Sequence, residues 1–148
     1  MSAVGVDTSV ILRVANPDDT RHGQAVRTLA RLRAEGARLV VVPQVLAEFW
    51  VVATRPTDVN GLGASATAAD AELERLLGFF DLVPEPLGTF AAWRKLVAGV
   101  PVIGRRAHDA RLAAAYAEAG CDHLLTLDPR DFASLLVPAG LTLVSLED

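Results

Sequence analysis

Short apolar runs alternate along the chain with longer stretches in which apolar residues recur every three or four positions. The apolar runs at residues 4–6, 39–43 and 124–127 lack the alternation of a half-exposed strand, which is typical of parallel strands covered on both faces. Runs at residues 82–84 and 141–146 have the length of two further strands. The pattern therefore predicts five short strands.

The stretches between these runs have the periodicity of helices. They predict a helix that begins directly after Asp7, and further helices from a cap at 18–20 to about 36, over 44–53, from about 67 to 80, over 89–98 and over 108–119. In the helix that ends at about 36 we expect four apolar side chains to face the core: Val26, Leu29, Ala30 and Leu32. Alternating strands and helices favour an α/β fold with a mainly parallel central sheet, in which ligands bind at the carboxyl ends of the strands.

Length, composition and charge narrow the class of protein. The chain has 148 residues, of which 51% are hydrophobic and 22% charged, so we expect one globular domain over residues 1–148 with a substantial core. The single cysteine, Cys121, excludes an intramolecular disulfide and a zinc site built from several cysteines. The net charge of −4 argues against a general nucleic-acid coat protein. No apolar stretch has the length of a membrane span and no export signal is visible, so we expect a cytoplasmic protein.

Four acidic residues fall at element junctions or among apolar neighbours: Asp7, Glu48, Asp109 and Asp128. Each one alone is explained by a helix cap or a salt bridge, although a carboxylate in a largely buried helix, as expected for Glu48, needs a partner. Gathered at one end of a parallel sheet, the four would repel one another unless a divalent cation neutralised them. Their hard oxygen ligands suit Mg²⁺ or Mn²⁺ and phosphate chemistry by a metal-activated water.

Four segments in this order resemble the PIN-domain family: VDTSVIL at 6–12, the helical Glu48, HDARLAA at 108–114 and TLDPRDF at 126–132. The resemblance covers essentially the whole chain and is closest to the VapC-like toxins of bacterial type II toxin-antitoxin pairs. It implies a PIN-like three-layer α/β sandwich. It also implies a metal-dependent endoribonuclease that leaves 3′-hydroxyl and 5′-phosphate ends.

The resemblance assigns roles to individual residues. Asp7, Glu48, Asp109 and Asp128 would hold Mg²⁺ or Mn²⁺, and Asp131 competes with Asp128 for the fourth position. Thr8 and Thr126 stand beside these acids, where the family often has a hydroxyl that bonds a carboxylate or a metal-bound water; plain capping is the alternative. Arg105 and Arg106 would contact the scissile phosphate or the RNA backbone, unless they form a solvated basic turn.

The expected partners follow from the same resemblance. They are an RNA substrate, whether tRNA, rRNA or mRNA, a cognate antitoxin protein and a second copy of the chain in a homodimer. The main alternative is a PIN-like module that binds RNA or a protein without cleaving. A nuclease acting on DNA flaps is less consistent with the length, since 148 residues leave little room for elements that grip duplex DNA. Trp50 and Trp93 are expected to pack in the core or in an interface rather than stack on bases.

Overall fold

The computed structural model describes residues 2–148 and has a five-stranded parallel sheet at its centre. The strands follow the order β3-β2-β1-β4-β5 across the sheet. Their bounds are β1 (Ala3–Val6), β2 (Arg38–Val41), β3 (Asp81–Leu82), β4 (His123–Leu125) and β5 (Thr142–Leu143). Consecutive residues of β1 and β2 are buried, so helices cover both faces of the sheet. The predicted three-layer α/β sandwich is confirmed.

Seven helices surround the sheet, and most lie within a few residues of their predicted positions. They are α1 (Thr8–Val14), α2 (His22–Ala34), α3 (Pro43–Thr54), α4 (Ala66–Phe79), α5 (Thr89–Gly99), α6 (Arg106–Glu118) and α7 (Leu136–Ala139). Two 3-10 turns lie at Thr57–Val59 and Pro129–Asp131. The short helix α7 was not predicted, because four residues contain too little of a helical period to be recognised. Among residues 2–148, none of these helices is long and apolar enough to cross a membrane.

The predicted core face of α2 is wrong at two positions. Val26 is 41% exposed and Ala30 is also exposed, whereas Leu29 and Leu32 are buried as expected. The buried face is rotated towards Ala25 and Thr28. Val26 and Ala30 instead line an apolar depression on the surface, and periodicity alone does not distinguish such a surface from the core.

A glycine and a tyrosine set the distance between α6 and the first strand. Tyr116 is fully buried, and its hydroxyl donates a hydrogen bond to the carbonyl oxygen of Val6. A Cβ atom placed on Gly5 would lie 2.3 Å from Cγ of the Tyr116 ring, which is closer than real Cβ atoms approach. The absence of a side chain at Gly5 therefore lets α6 pack tightly against β1, directly below the end of that strand.

Two side chains from other helices hold the beginning of α6. The indole Nε1 of Trp93 donates to the carbonyl oxygen of Ala107 at 2.9 Å, and Nε2 of Gln44 donates to the carbonyl oxygen of His108 at 3.1 Å. Helices α5 and α3 are thus both tied to the segment that carries Asp109. Because α3 also carries Glu48, the Gln44 bond ties together the two helices that carry Glu48 and Asp109.

Candidate functional site

Asp7 is the most firmly held of the predicted site acids. It follows β1, and its N–H donates to the carbonyl oxygen of Leu125 on β4 at 2.9 Å. Its Oδ2 atom accepts hydrogen bonds from the hydroxyls of Ser9 and Thr126, each at 2.8 Å. Burial of Asp7 raises the pKa of its carboxyl group, while these two hydroxyls and the backbone of Thr8 act in the opposite direction.

Ser9 is a site residue that sequence reasoning missed. Its hydroxyl is bonded to Asp7, accepts a hydrogen bond from the N–H of Leu127 at 3.0 Å and lies 3.3 Å from the hydroxyl of Thr126. Thr8, which the sequence offered as a hydroxyl that bonds a carboxylate, donates to Oε1 of Glu48 at 3.3 Å. The sequence signal that could have identified Ser9 is a hydroxyl-bearing residue two positions after Asp7, at the start of a helix.

Glu48 lies on the exposed side of α3, which corrects the expectation of a largely buried position. The buried residues of this helix are Val45, Phe49 and Ala53, and Glu48 itself is exposed. Partial desolvation nevertheless raises the pKa of its carboxyl group, and the negative charge of Asp7 adds to the increase. The Glu48 carboxylate therefore belongs to the same electrostatic centre as Asp7.

Asp109 is half-buried in the first turn of α6. Desolvation is the main cause that raises the pKa of its carboxyl group to about 6, and the charges of Asp131, Asp7 and Glu48 raise it further. The guanidinium of Arg106 opposes this increase. The structure thus brings three predicted acids, Asp7, Glu48 and Asp109, close enough to disfavour one another's ionisation.

Both candidates for the fourth acid face this centre. Asp128 is exposed; its N–H donates to the hydroxyl of Thr126 at 3.0 Å, and its charge raises the pKa of Asp7. Asp131 lies at the other end of the 3-10 turn and is the charged group that most raises the pKa of Asp109. One short turn therefore carries an acid near Asp7 and another near Asp109.

The two predicted arginines are placed differently. Arg106 is half-buried, donates a hydrogen bond to the hydroxyl of Ser134 and is near enough to Asp109 to lower the pKa of that carboxyl group. Arg105 occupies the N-cap position of α6 and is exposed. The structure therefore brings Arg106 to the acidic centre, while Arg105 stands at its periphery.

The donor set suits a hydrated divalent cation better than a fully enclosed one. Among residues 2–148, no three His, Cys, Asp or Glu side chains are grouped as a ready-made metal cage. Mg²⁺ needs no such cage, because it keeps several waters and takes one or two carboxylates together with substrate phosphates. The two side-chain hydrogen bonds of Asp7 go to Oδ2, so Oδ1 receives neither. Separated carboxylates that disfavour one another's ionisation are consistent with Mg²⁺ or Mn²⁺.

Comparisons with known proteins give a family match and several similar folds. A family model described as PIN domain matches residues 4–135. The fold is similar to that of VapC20 from Mycobacterium tuberculosis, described as a sarcin-ricin loop cleaving toxin, with 25% identity, a TM-score of 0.63 and coverage of 88% of this chain and 94% of that chain.

Two further solved structures share the fold. VapBC2 from Rickettsia felis, bound to a DNA fragment from its promoter, has 15% identity, a TM-score of 0.70 and coverage of 96% and 97% of the two chains. VapBC-5 from Mycobacterium tuberculosis, a member of the VapBC family of toxin-antitoxin systems, has 23% identity, a TM-score of 0.59 and coverage of 97% and 98%. The sequence has no significant match among curated proteins.

Proposed function

The chain belongs to the PIN-domain family, and on that premise we propose that it is a metal-dependent endoribonuclease, the toxin component of a type II toxin-antitoxin pair. One observation carries the proposal. Asp7, Glu48 and Asp109 come from three separate elements, and yet the pKa of each carboxyl group is raised by full or partial desolvation and by a neighbouring carboxylate. A protein that maintains such repulsion at the carboxyl end of its sheet gains from a cation that relieves it.

Asp7, Glu48, Asp109 and Asp128 would hold Mg²⁺ or Mn²⁺, with Asp131 as the competing fourth ligand. When bound, the ion would supply Lewis-acid chemistry, which acidifies a water and neutralises negative charge on a phosphodiester. The protein's own contribution is to keep the carboxylates ionised and oriented. The hydroxyls of Ser9 and Thr126 do this for Asp7, and the hydroxyl of Thr8 does it for Glu48.

Arg106 supplies the positive charge that an RNA substrate needs at this otherwise acidic edge. Its guanidinium is held by Ser134 beside Asp109, where its remaining N–H groups are available to phosphate oxygens. A phosphodiester bound there would lie against the half-buried carboxylate of Asp109. Arg105, exposed one residue earlier, would contact the RNA backbone further from the acids.

The similar structures support the substrate and the partner in this proposal. VapC20 is described as a toxin that cleaves the sarcin-ricin loop, so a structured RNA loop is the first substrate to test. Other similar structures are VapBC complexes, which supports a cognate antitoxin as the protein partner. We further propose a cytoplasmic homodimer.

The direct test is cleavage by the purified, antitoxin-free protein. The substrates are tRNA, an rRNA fragment containing the sarcin-ricin loop and single-stranded DNA, each with Mn²⁺, Mg²⁺ or EDTA, and Asp109→Asn is assayed in parallel. We expect RNA cuts that require metal and disappear in the variant. Equal cutting by Asp109→Asn would refute the site, and RNA binding without any cutting would support the non-catalytic module instead.

A further inference from the structure

Helix α5 exposes an aromatic ring beside two cations. Phe90 is 66% exposed, and it borders a shallow depression together with Arg94 and Lys95, which lie about one helical turn further on. Both cations are exposed, and among residues 2–148 neither forms an ion pair with an acidic side chain. This surface therefore combines an exposed aromatic ring with two positive charges that no acidic side chain in the described part of the chain neutralises.

On its other side, Phe90 borders a pocket of about 200 Å³. The ring of Trp93 forms one wall, with its centroid 5.9 Å from that of Phe90 and the two planes inclined by 36°. Trp93 is fixed by its hydrogen bond to Ala107, so Phe90 lies against a ring that is itself held in place. The exposed part of the Phe90 ring is therefore a supported surface on which another flat ring can stack.

Polar groups lie at the same pocket. Arg111 and Glu85 line it and pair with each other at 2.7 Å, so it offers both donors and an acceptor at its edge. Thr89 also lines the pocket and is 3% exposed, so its hydroxyl adds to the polar character of the wall.

This surface is connected to the acidic centre through α6. Trp93 is bonded to Ala107, two residues before Asp109, and Arg111 lies two residues after it. Glu85 follows β3 at the carboxyl edge of the sheet, the edge at which Asp7 and Asp128 also lie. A strand of nucleic acid seated at the acids would therefore have this surface beside it.

We infer that the surface formed by Phe90, Trp93, Arg94, Lys95 and Arg111 holds an unpaired base of the RNA, stacked on Phe90, with neighbouring phosphates on Arg94 and Lys95. The inference rests on the proposed function, which supplies RNA as the ligand. Exposed aromatic rings interleaved with cations are how single-stranded nucleic acid is bound without base pairing. Phe90 is the one large hydrophobic side chain that α5 exposes, whereas a partner helix needs a groove lined by several apolar residues.

The test measures binding rather than cleavage. Fluorescence anisotropy of an end-labelled single-stranded RNA of about ten nucleotides is followed in EDTA. We expect Phe90→Ala to weaken binding about tenfold, and Phe90→Tyr to stay within about twofold of the wild type. Phe79→Ala is the matched control, because Phe79 is also partly exposed, at 38%, and lies beside Arg33, but belongs to α4 rather than α5. We expect this variant to bind RNA like the wild type.

A second readout separates stacking from charge. Replacing both Arg94 and Lys95 by alanine should reduce the slope of log affinity against log salt by about 1.4, whereas Phe90→Ala should leave that slope unchanged. Double-stranded RNA of the same sequence should bind equally to the wild type and Phe90→Ala, because its bases are not free to stack.

The outcomes distinguish this inference from the proposed nuclease. If Phe90→Ala binds RNA as Phe79→Ala does, or if the wild type binds no RNA in EDTA, the inference is overturned. It is also overturned if Phe90→Ala loses a co-purified antitoxin and keeps its RNA affinity, since the surface is then a protein interface. If binding depends on Phe90 while no RNA in the cleavage panel is cut, the base site stands and the proposed nuclease fails.

Discussion

The acidic centre has a firmly held side and a loosely held side. At the end of β1, Asp7 receives two short hydrogen bonds from the buried residues Ser9 and Thr126. On α3, the exposed Glu48 receives one longer bond, at 3.3 Å, from Thr8. The strand end therefore supplies a fixed reference for the chemistry, whereas the helix supplies a carboxylate that can adjust to what binds.

Loss of a hydrogen bond should also cost different amounts of stability on the two sides. A buried hydrogen bond that loses one partner costs about 1–3 kcal/mol, because the remaining polar group is left without water. An exposed bond costs far less, because water replaces the lost partner. Loss of a hydroxyl on the β1 side should therefore reduce both stability and activity, and loss of the hydroxyl on the α3 side should reduce mainly activity.

The largest expected effect on activity comes from replacing Asp7, the acid on the firmly held side. Asp7→Asn keeps the shape but removes the charge, and we expect RNA cleavage to fall at least about a thousandfold, since loss of a metal ligand costs several kcal/mol of transition-state stabilisation. The change also relieves the burial of a carboxylate, so thermal stability should not fall. Asp18→Asn, at an exposed acid outside the site, is the control for general effects of charge. Retained cleavage in Asp7→Asn would remove Asp7 from the site.

The second prediction concerns the packing of Gly5 against Tyr116, next to the firmly held side of the site. Gly5→Ala places a Cβ atom 2.3 Å from the Tyr116 ring, and we expect it to reduce the free energy of unfolding by about 3 kcal/mol, at the upper end for overpacking. In a Tyr116→Ala background the same change should cost less than about 0.5 kcal/mol, because the clash is gone. Urea denaturation of the four proteins measures both values. Equal costs in the two backgrounds would show that the glycine serves another purpose.

The hydroxyls allow a direct comparison of the two sides. Thr126→Val removes the bond to Asp7 and the acceptor for the N–H of Asp128, so we expect cleavage and Mn²⁺ affinity to fall about 10- to 100-fold. Thr8→Val removes only the exposed bond to Glu48 and should cost a few-fold in activity, with no measurable loss of stability. Cleavage rates, Mn²⁺ titration and denaturation are measured side by side. Equal losses in the two variants would contradict the distinction between the sides.

The smallest effect concerns pH and the half-buried Asp109. In the folded state its pKa is about 6, above the ordinary value of 3.8, so the folded protein holds this proton more tightly than the unfolded chain does. The metal-free protein should therefore lose stability as pH rises from about 4 to about 6 and change little through this group above that range. We expect a loss of about 1 kcal/mol, reduced by solvent screening, or about 2–4 °C in the melting temperature.

Asp109→Asn provides the check on this pH dependence. The variant has no proton to lose at this position. Its melting temperature in EDTA should therefore not show the decrease with pH that Asp109 causes, and it should exceed that of the wild type at pH 7. An unchanged slope would show that other groups, such as Asp7 or Glu48, carry the pH dependence. The measurement is a series of thermal melts between pH 4 and pH 7.

Much of the framework could be predicted from local patterns. An apolar run that ends in Asp7 indicates a strand end. A parallel sheet then places the carboxyl ends of the neighbouring strands beside Asp7. The hydroxyl that turns back to Asp7 could not be predicted, because the choice between Thr8 and Ser9 depends on the orientation of the first turn of α1. The exposure of Glu48 was also hidden, since the apolar segment around it has exposed members such as Val51, which is 58% accessible.

Strand β1 lies at the centre of the sheet, beside strands that follow much later in the chain, and this separation determines when the site can form during synthesis. Its neighbours are β2 on one side and β4 on the other, and the hydroxyl that orients Asp7 comes from Thr126, 119 positions later. Contacts between such distant positions form late, after the intervening chain has left the ribosome. A nascent chain can therefore carry Asp7, Glu48 and Asp109 without an assembled site, so any activity is deferred until the segment around residue 126 has emerged.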